Sequence, residues 1–217
     1  MKIKKPRVKA KEIRLQEIQT AARKVFFKKG YQNSTIGEIA KLAGIREGTV
    51  YLYFKNKEDL YISLMIPVTQ RIGEQLQKLE NADLNKIFKN GSQLMETLTN
   101  IYLDLHQYDP DGLKIIQAYQ QGNLFLGMST AIRKKLDDLA HNNFETVRRI
   151  ISKAKNLGFF REDVDGTVLA DILWSLFIGA VQLEETKLRA TQKNHLQPTI
   201  KYAFSLITRA ILPESAK

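Results

Sequence analysis

Thr35 to Leu60 reads TIGEIAKLAGIREGTVYLYFKNKEDL, and the spacing of a few small and apolar residues in this run decides the local architecture. Ala40 is the small residue a helix needs where a second helix crosses it, and Gly44, four residues on, suits a sharp turn that requires positive φ. Val50, six further, turns the second helix back onto the first. Ile39, Ala43 and Ile45 fill the same small core. Thr35 followed by Glu38 is a capping box that opens the first helix, and Asn56 followed by Asp59 is a variant that opens the helix after the motif. The spacing predicts a helix-turn-helix.

Charge is distributed to match. Residues 1–60 hold 15 Lys and Arg against 6 Asp and Glu, a balance of +9, while residues 61–217 hold 19 against 17, a balance of +2. Basicity confined to one end is what a phosphate-binding face requires. For Met1 to Lys11 alone a solvated basic tail would suffice, but a tail does not account for the neighbouring motif.

The stretch GYQNSTIGEIAKLAGIREGTVYLYFKNKEDLY, with Phe26 before it, resembles the amino-terminal signature of the tetracycline-repressor (TetR) family. The likeness runs from about Ile13 to Tyr61; beyond that only an all-helical character is similar. The resemblance implies an all-α protein with a helix-turn-helix DNA-binding domain over residues 1–60 and a helical effector-binding and dimerisation domain over 61–217. It also implies a homodimer on a double-stranded operator. The runners-up are a ligand-independent architectural DNA binder and a regulator controlled by a protein partner.

Positions in the motif assign the contacts. The second helix, about Glu47 to Phe54, is expected in the major groove with its first turn against base edges. Arg46, Thr49 and Glu47 are the candidates for base readout, through guanine O6 and N7, the thymine methyl and cytosine N4 respectively. Gly48 permits close backbone approach. Tyr51, Tyr53 and Lys57 match family positions that touch phosphate, and Thr35 lies at a helix amino terminus. For the two tyrosines, packing alone is the competing reading. The family usually caps the recognition helix with serine or threonine where this chain has Arg46, so a phosphate role for Arg46 stays open. Lys2, Lys4, Lys5, Arg7, Lys9 and Lys11 are expected to form an arm ahead of the first helix.

Helical periodicity dominates the rest. Leu15, Ile18, Ala22 and Val25 give helix one an inward face that Gly30 ends. Asn56 is expected to open a long helix through Leu79 kinked at Pro67, followed by Leu84–Gln107 weakened near Gly91. Then come Asp111–Gln121, Ser129–Lys155, Thr167–Thr191 and Pro198–Leu212. Val168 to Leu183 is apolar nearly all round except for a thin stripe of Asp171, Ser175, Gly179 and Gln182. With the last helix it resembles the pair that forms the family's two-fold interface; the plain alternative is two core helices of a monomer.

Between Met65 and Phe177 the chain carries a surplus of aromatic and thioether side chains, which points to a ligand sensor for an apolar or aromatic small molecule. The neighbourhood is Met65, Ile101, Tyr102, Leu105, Tyr119, Phe125, Met128, Phe144, Trp174 and Phe177, with His106, Tyr119 and Gln182 as polar anchors. Each is individually a common core residue. No Ser/His/Asp spacing, phosphate loop or nucleotide loop is present, and Asp137, Asp138, His141 and Glu145 on one helical face read as a solvated stripe rather than a metal site. Neither enzymatic activity nor a cofactor is expected. With no cysteine, no apolar leader after the basic start, and a most apolar stretch judged short of the ~20 residues of a span, a cytoplasmic protein with no membrane partner is expected.

Overall fold

The structure is a computed structural model and describes residues 6–122, 127–192 and 194–214. Among them the secondary structure is all helical. The described residues group into two compact units, one from Met1–Ile66 with Ala118–Leu136, the other from Pro67–Gln117 with Asp137–Lys217.

In the first unit, α1 (Pro6–Lys29) packs on α2 (Ile36–Leu42) and α4 (Lys57–Ser63), while α3 (Glu47–Tyr51) packs on α2. Ile18, Ala21, Ala22, Val25 and Phe26 line the inward face of α1, and Gly30 ends it at φ +79°. Arg7, Lys9 and Lys11 lie inside α1 rather than in an arm ahead of it, since Pro6 is accepted at a helix start. Lys2, Lys4 and Lys5 lie outside the described residues. At the far end of α4, Arg23 donates to the Leu64 carbonyl at 2.6 Å and Gln19 to the Ser63 hydroxyl at 3.0 Å, so polar groups of α1 satisfy a helix end that has no carbonyl partners of its own.

The expected single helix from Asn56 to Leu79 is two helices. Leu64 and Met65 form three-residue-spaced bonds to Tyr61 and Ile62, which tightens and stops α4. A new helix, α5 (Ile66–Asn81), then starts with Pro67 in its first turn, where a missing N–H costs nothing.

The Leu84–Gln107 helix is also divided, into α6 (Leu84–Ile87) and α7 (Gly91–Tyr108). Asn90 caps α7 by accepting from Gln93 N at 3.1 Å. Gly91 is there for space: a Cβ would stand 2.3 Å from the Phe159 carbonyl oxygen. α8 (Pro110–Gln120) is capped by Asp109, which accepts from Gly112 N at 2.8 Å. α9 (Thr130–Asn156) begins in the first unit and ends in the second. α10 (Gly166–Thr191) and α11 (Leu196–Ile211) complete the chain, with α11 packed on both α7 and α10.

The second unit's core is built from Leu94, Leu98 and Tyr102 of α7, Ile150 and Ile151 of α9, Leu173 and Phe177 of α10, and Ile200 and Phe204 of α11. Glu80, nearly buried on α5, accepts through its carboxylate from Arg149 Nε and, at 3.2 Å, from Arg149 Nη2, while Lys153 donates to its main-chain carbonyl at 2.6 Å, tying α5 to α9. Gly166–Leu188 corrects one expectation. At 23 residues and mean hydropathy 1.6 it is long and apolar enough to cross a membrane by length and composition. Its inward residues Leu169, Leu173, Phe177 and Val181 nevertheless pack into this helical core.

Candidate nucleic-acid interface

The turn of the motif follows from Gly44, whose φ of +67° lets Ile45 N reach back to the Ala40 carbonyl at 3.0 Å. Ile39, Ala40 and Val50 are fully enclosed beneath it. This core fixes α3 against α2 and leaves the opposite face of α3 bare.

Thr35 sits at the N-cap of α2. Its Oγ1 accepts from Glu38 N at 3.2 Å and Glu38 Oε2 accepts from Thr35 N at 3.1 Å, the reciprocal capping box. Lys29 pairs with the Glu38 carboxylate, and that hydrogen bond, foremost, holds Glu38 below the usual carboxylate range. Arg46 is exposed at the N-cap of α3 in extended backbone and makes no capping bond with its side chain. Gly48 is exposed, and a Cβ there would meet nothing within 4 Å. Thr49 and Tyr53 are half-buried. Tyr51 is 50% exposed.

Two positions depart from a simple contact role. Lys57 donates from Nζ to the carbonyls of Tyr31 at 3.0 Å and Ser34 at 3.1 Å, and lies 4.4 Å from the Tyr31 ring centroid. Its ammonium therefore ties α4 to the loop before α2. Glu47 folds back toward α2, with its carboxylate against Gly37. Sequence reasoning also passed over Leu52, which is 79% exposed at the C-cap of α3 beside Tyr51; alternation of apolar residues in VYLYF gave no sign of which one faces out.

The start of α4 carries a second connection. Asn56 Oδ1 accepts from Asp59 N at 2.8 Å, but Asp59 does not complete a capping box. Its buried carboxylate accepts instead from Ser129 N at 2.8 Å, and Asn56 Nδ2 donates to the Gly127 carbonyl at 2.7 Å. Within the first unit, α4 is thereby bonded to the residues that lead into α9.

Residues 18–64, the segment that contains all of this geometry, match the model of the bacterial regulatory proteins of the tetR family. That segment is an amino-terminal domain of the TetR type. It is 41% identical over 73 residues to the fatty acid metabolism regulator protein of Bacillus subtilis (strain 168), covering 34% of this chain and 36% of that protein. It is 28% identical over 147 residues to the transcriptional repressor NicS of Pseudomonas putida, covering 68% and 66%. The match thus spans about a third of the first relative's length. The transcriptional regulator FadR from Bacillus subtilis, solved in complex with stearoyl-CoA, superposes with a TM-score of 0.63 at 24% identity over 89% of this chain and 97% of that one, which shows a shared fold.

The residues expected around an effector divide between the units. Tyr102, Trp174 and Phe177 come together in the second unit, with Tyr102 5.2 Å from Phe177 and 6.3 Å from Trp174 between ring centroids. Phe204 joins them at 5.6 Å from Tyr102. Complete burial pushes the Tyr102 hydroxyl well above its ordinary pKa. His106, half-buried a turn further along α7, borders a cleft of about 450 Å³ with Leu103, Gln107, Asn194, Leu196 and Pro198. Burial first, then Lys114, lowers its pKa and favours the neutral imidazole. Met65 and Tyr119 belong to the first unit, Phe125 lies outside the described residues, and Gln182 is exposed on α10. Asp137, Asp138 and His141 are exposed on α9, and among the described residues no group of three metal-ligating side chains is assembled.

Proposed function

We propose that this chain is a homodimeric transcriptional repressor that holds a near-palindromic operator and is released by a small apolar or aromatic effector. The observation that carries the reading is the bare outer face of α3, where Arg46, Gly48 and Tyr51 stand exposed in the region of the chain with a +9 charge balance. Residues 1–60 serve as the DNA-binding domain and residues 61–217 as the effector and dimerisation domain. In this reading Arg46 and Thr49 touch bases, while Thr35, Tyr51 and Tyr53 position the backbone. Lys57 orders the loop behind them and keeps one ammonium N–H for phosphate.

Dimerisation is supported by the outer faces of the last two helices. Val168, Ile172 and Leu183 of α10, and Tyr202 and Leu206 of α11, are exposed apolar side chains, and the stripe Asp171, Ser175, Gly179 and Gln182 runs exposed among them. Exposed apolar side chains gathered on two packed helices support an interface there. Two such chains place two recognition helices on half-sites about one DNA turn, ~34–36 Å, or a multiple apart.

The aromatic cluster around Tyr102 supports an apolar effector, as does the stearoyl-CoA with which the FadR of similar fold was solved. Release requires the ligand to prefer the non-binding form, and moving a population from 1:99 to 99:1 takes ~5.5 kcal/mol of differential affinity. Repression is supported by the likeness to NicS. Cytoplasmic residence follows from such a role. Selection of random duplexes by the full chain, run with and without a panel of fatty acyl and aromatic compounds, tests the whole: a near-palindrome lost on adding one compound is expected. Sequence-specific binding that no compound alters would favour a partner-controlled regulator, and binding without a motif an architectural one.

A further inference from the structure

Glu47 opens α3 at a position expected to face base edges, yet its carboxylate lies over α2. A Cβ built on Gly37 would stand 3.2 Å from Glu47 Oε2, 3.9 Å from Glu47 Cδ and 4.0 Å from Thr35 Oγ1. Gly37 is the second residue of α2, in helical backbone with no positive φ to account for a glycine there. Glycine inside a helix is unfavourable relative to alanine, so its presence calls for a packing reason. Contact with the Glu47 carboxylate is such a reason: the hydrogen of Gly37 leaves a seat that a methyl group, 3.2 Å from Oε2, would crowd.

We infer that Gly37 is a positioning residue for DNA recognition, holding the Glu47 carboxylate against the first turn of α2 and away from the nucleic acid. The inference rests on the DNA-binding reading above and assigns Glu47 a role different from cytosine readout. Parked on α2, the carboxylate leaves the approach over Gly48 open. Displaced outward, it becomes a negative charge among phosphates and offers an acceptor to an exposed cytosine amino group. Because the atom nearest Gly37 is the far end of an exposed, flexible side chain, the give that a methyl group demands, a few tenths of an ångström at the least, falls on Glu47 rather than on the backbone, and a change of its rotamer turns the carboxylate outward.

The test is a double-mutant cycle on the full-length protein, using the duplex it selects. Gly37→Ala is expected to weaken binding by about fivefold per subunit at low salt, the scale of one unit charge met at ~4 Å in water. It also shifts preference toward cytosine opposite α3. The melting temperature of this variant stays level or rises, because alanine is the better helix former. Gly37→Ala combined with Glu47→Gln recovers most of the loss, measured against Glu47→Gln alone. A Gly37→Ala protein that binds like wild type, or one whose loss persists in the Glu47→Gln background, overturns the seat. A wild-type protein that selects no duplex at all overturns the DNA-binding reading, and the seat with it.

Discussion

Lys57 Nζ lies 3.0 Å from the carbonyl oxygen of Tyr31 and 4.4 Å from the centroid of the same residue's ring, so one ammonium grips both the backbone and the side chain of a single loop residue. Glu58 follows Lys57 directly and raises the Tyr31 hydroxyl pKa, second only to burial among the causes. The loop that positions α2 is thus held electrostatically from the start of α4.

Lys57→Ala should therefore affect folding as well as DNA binding. Loss of two charged hydrogen bonds and a cation–π contact at a half-buried site is expected to cost about 1–3 kcal/mol by urea unfolding. If the third N–H meets phosphate, the slope of log K against log salt also falls by roughly one per subunit. Lys57→Ala with unchanged unfolding would show the clamp to be unimportant.

Tyr31 gives a signature at high pH. Burial, then Glu58 and Tyr61, raise its pKa from 10.0 to about 12. A folded-state pKa above the unfolded value means that the contribution to stability is complete below pH 10 and is lost as pH rises through 12. Tyr31→Phe should flatten the alkaline limb of the stability profile between these limits while leaving neutral-pH unfolding little changed.

Glu80 gives the acid counterpart. The Arg149 hydrogen bond, foremost, lowers its pKa from 4.5 against the opposing effect of burial. Stability from the pair is present above pH 4.5 and lost as pH falls through the folded-state pKa. Because the Arg149 side chain is half exposed, Glu80→Gln is expected to cost only about 1–2 kcal/mol at neutral pH. Its acid limb should be shallower than that of the wild type in denaturant titrations across pH 2 to 5.

Gly179 offers a way to separate the protomer from the dimer. A Cβ there would meet nothing within 4 Å, so a large side chain fits the single chain. Gly179→Trp should keep the helical circular dichroism spectrum yet sediment as a monomer at micromolar concentration, with Ile172→Glu behaving alike. Dimers undisturbed by both changes would place the two-fold elsewhere.

Local signals carried most of the fold that was legible from sequence. The Thr35–Glu38 box, Gly44 and Asn90-type caps act within four residues, and the structure realises the first two as read. The division of the Leu84–Gln107 helix was read only as a weakening near Gly91: the Asn90 cap on Gln93 N is local, but the reason for a glycine at 91, the Phe159 carbonyl, is a distant neighbour that periodicity does not reveal. Lys57 was read as a phosphate contact, and its bonds within the chain were not foreseen because the partners are main-chain carbonyls of the Tyr31–Ser34 loop, which any residue type supplies. Asp59 was read as a cap partner because Ser129, its actual donor, lies 70 residues away. Aromatic surplus named Tyr102, Trp174 and Phe177, which do meet, but composition could not separate them from Met65 and Tyr119 in the other unit.

The bonds from Asn56 and Asp59 to Gly127 and Ser129 bear on how a reading head of this kind can be transplanted. A graft that ends at residue 66 would strip the buried Asp59 carboxylate of its Ser129 donor and uncover the space filled by Met128. A buried carboxylate left without its donor costs about 1–3 kcal/mol or more. A chimaera that carries residues 118–136 along with the first 66 keeps that carboxylate satisfied. The exchangeable cassette is therefore discontinuous in the gene, and hybrid regulators spliced at a single point after α4 should be the ones that aggregate.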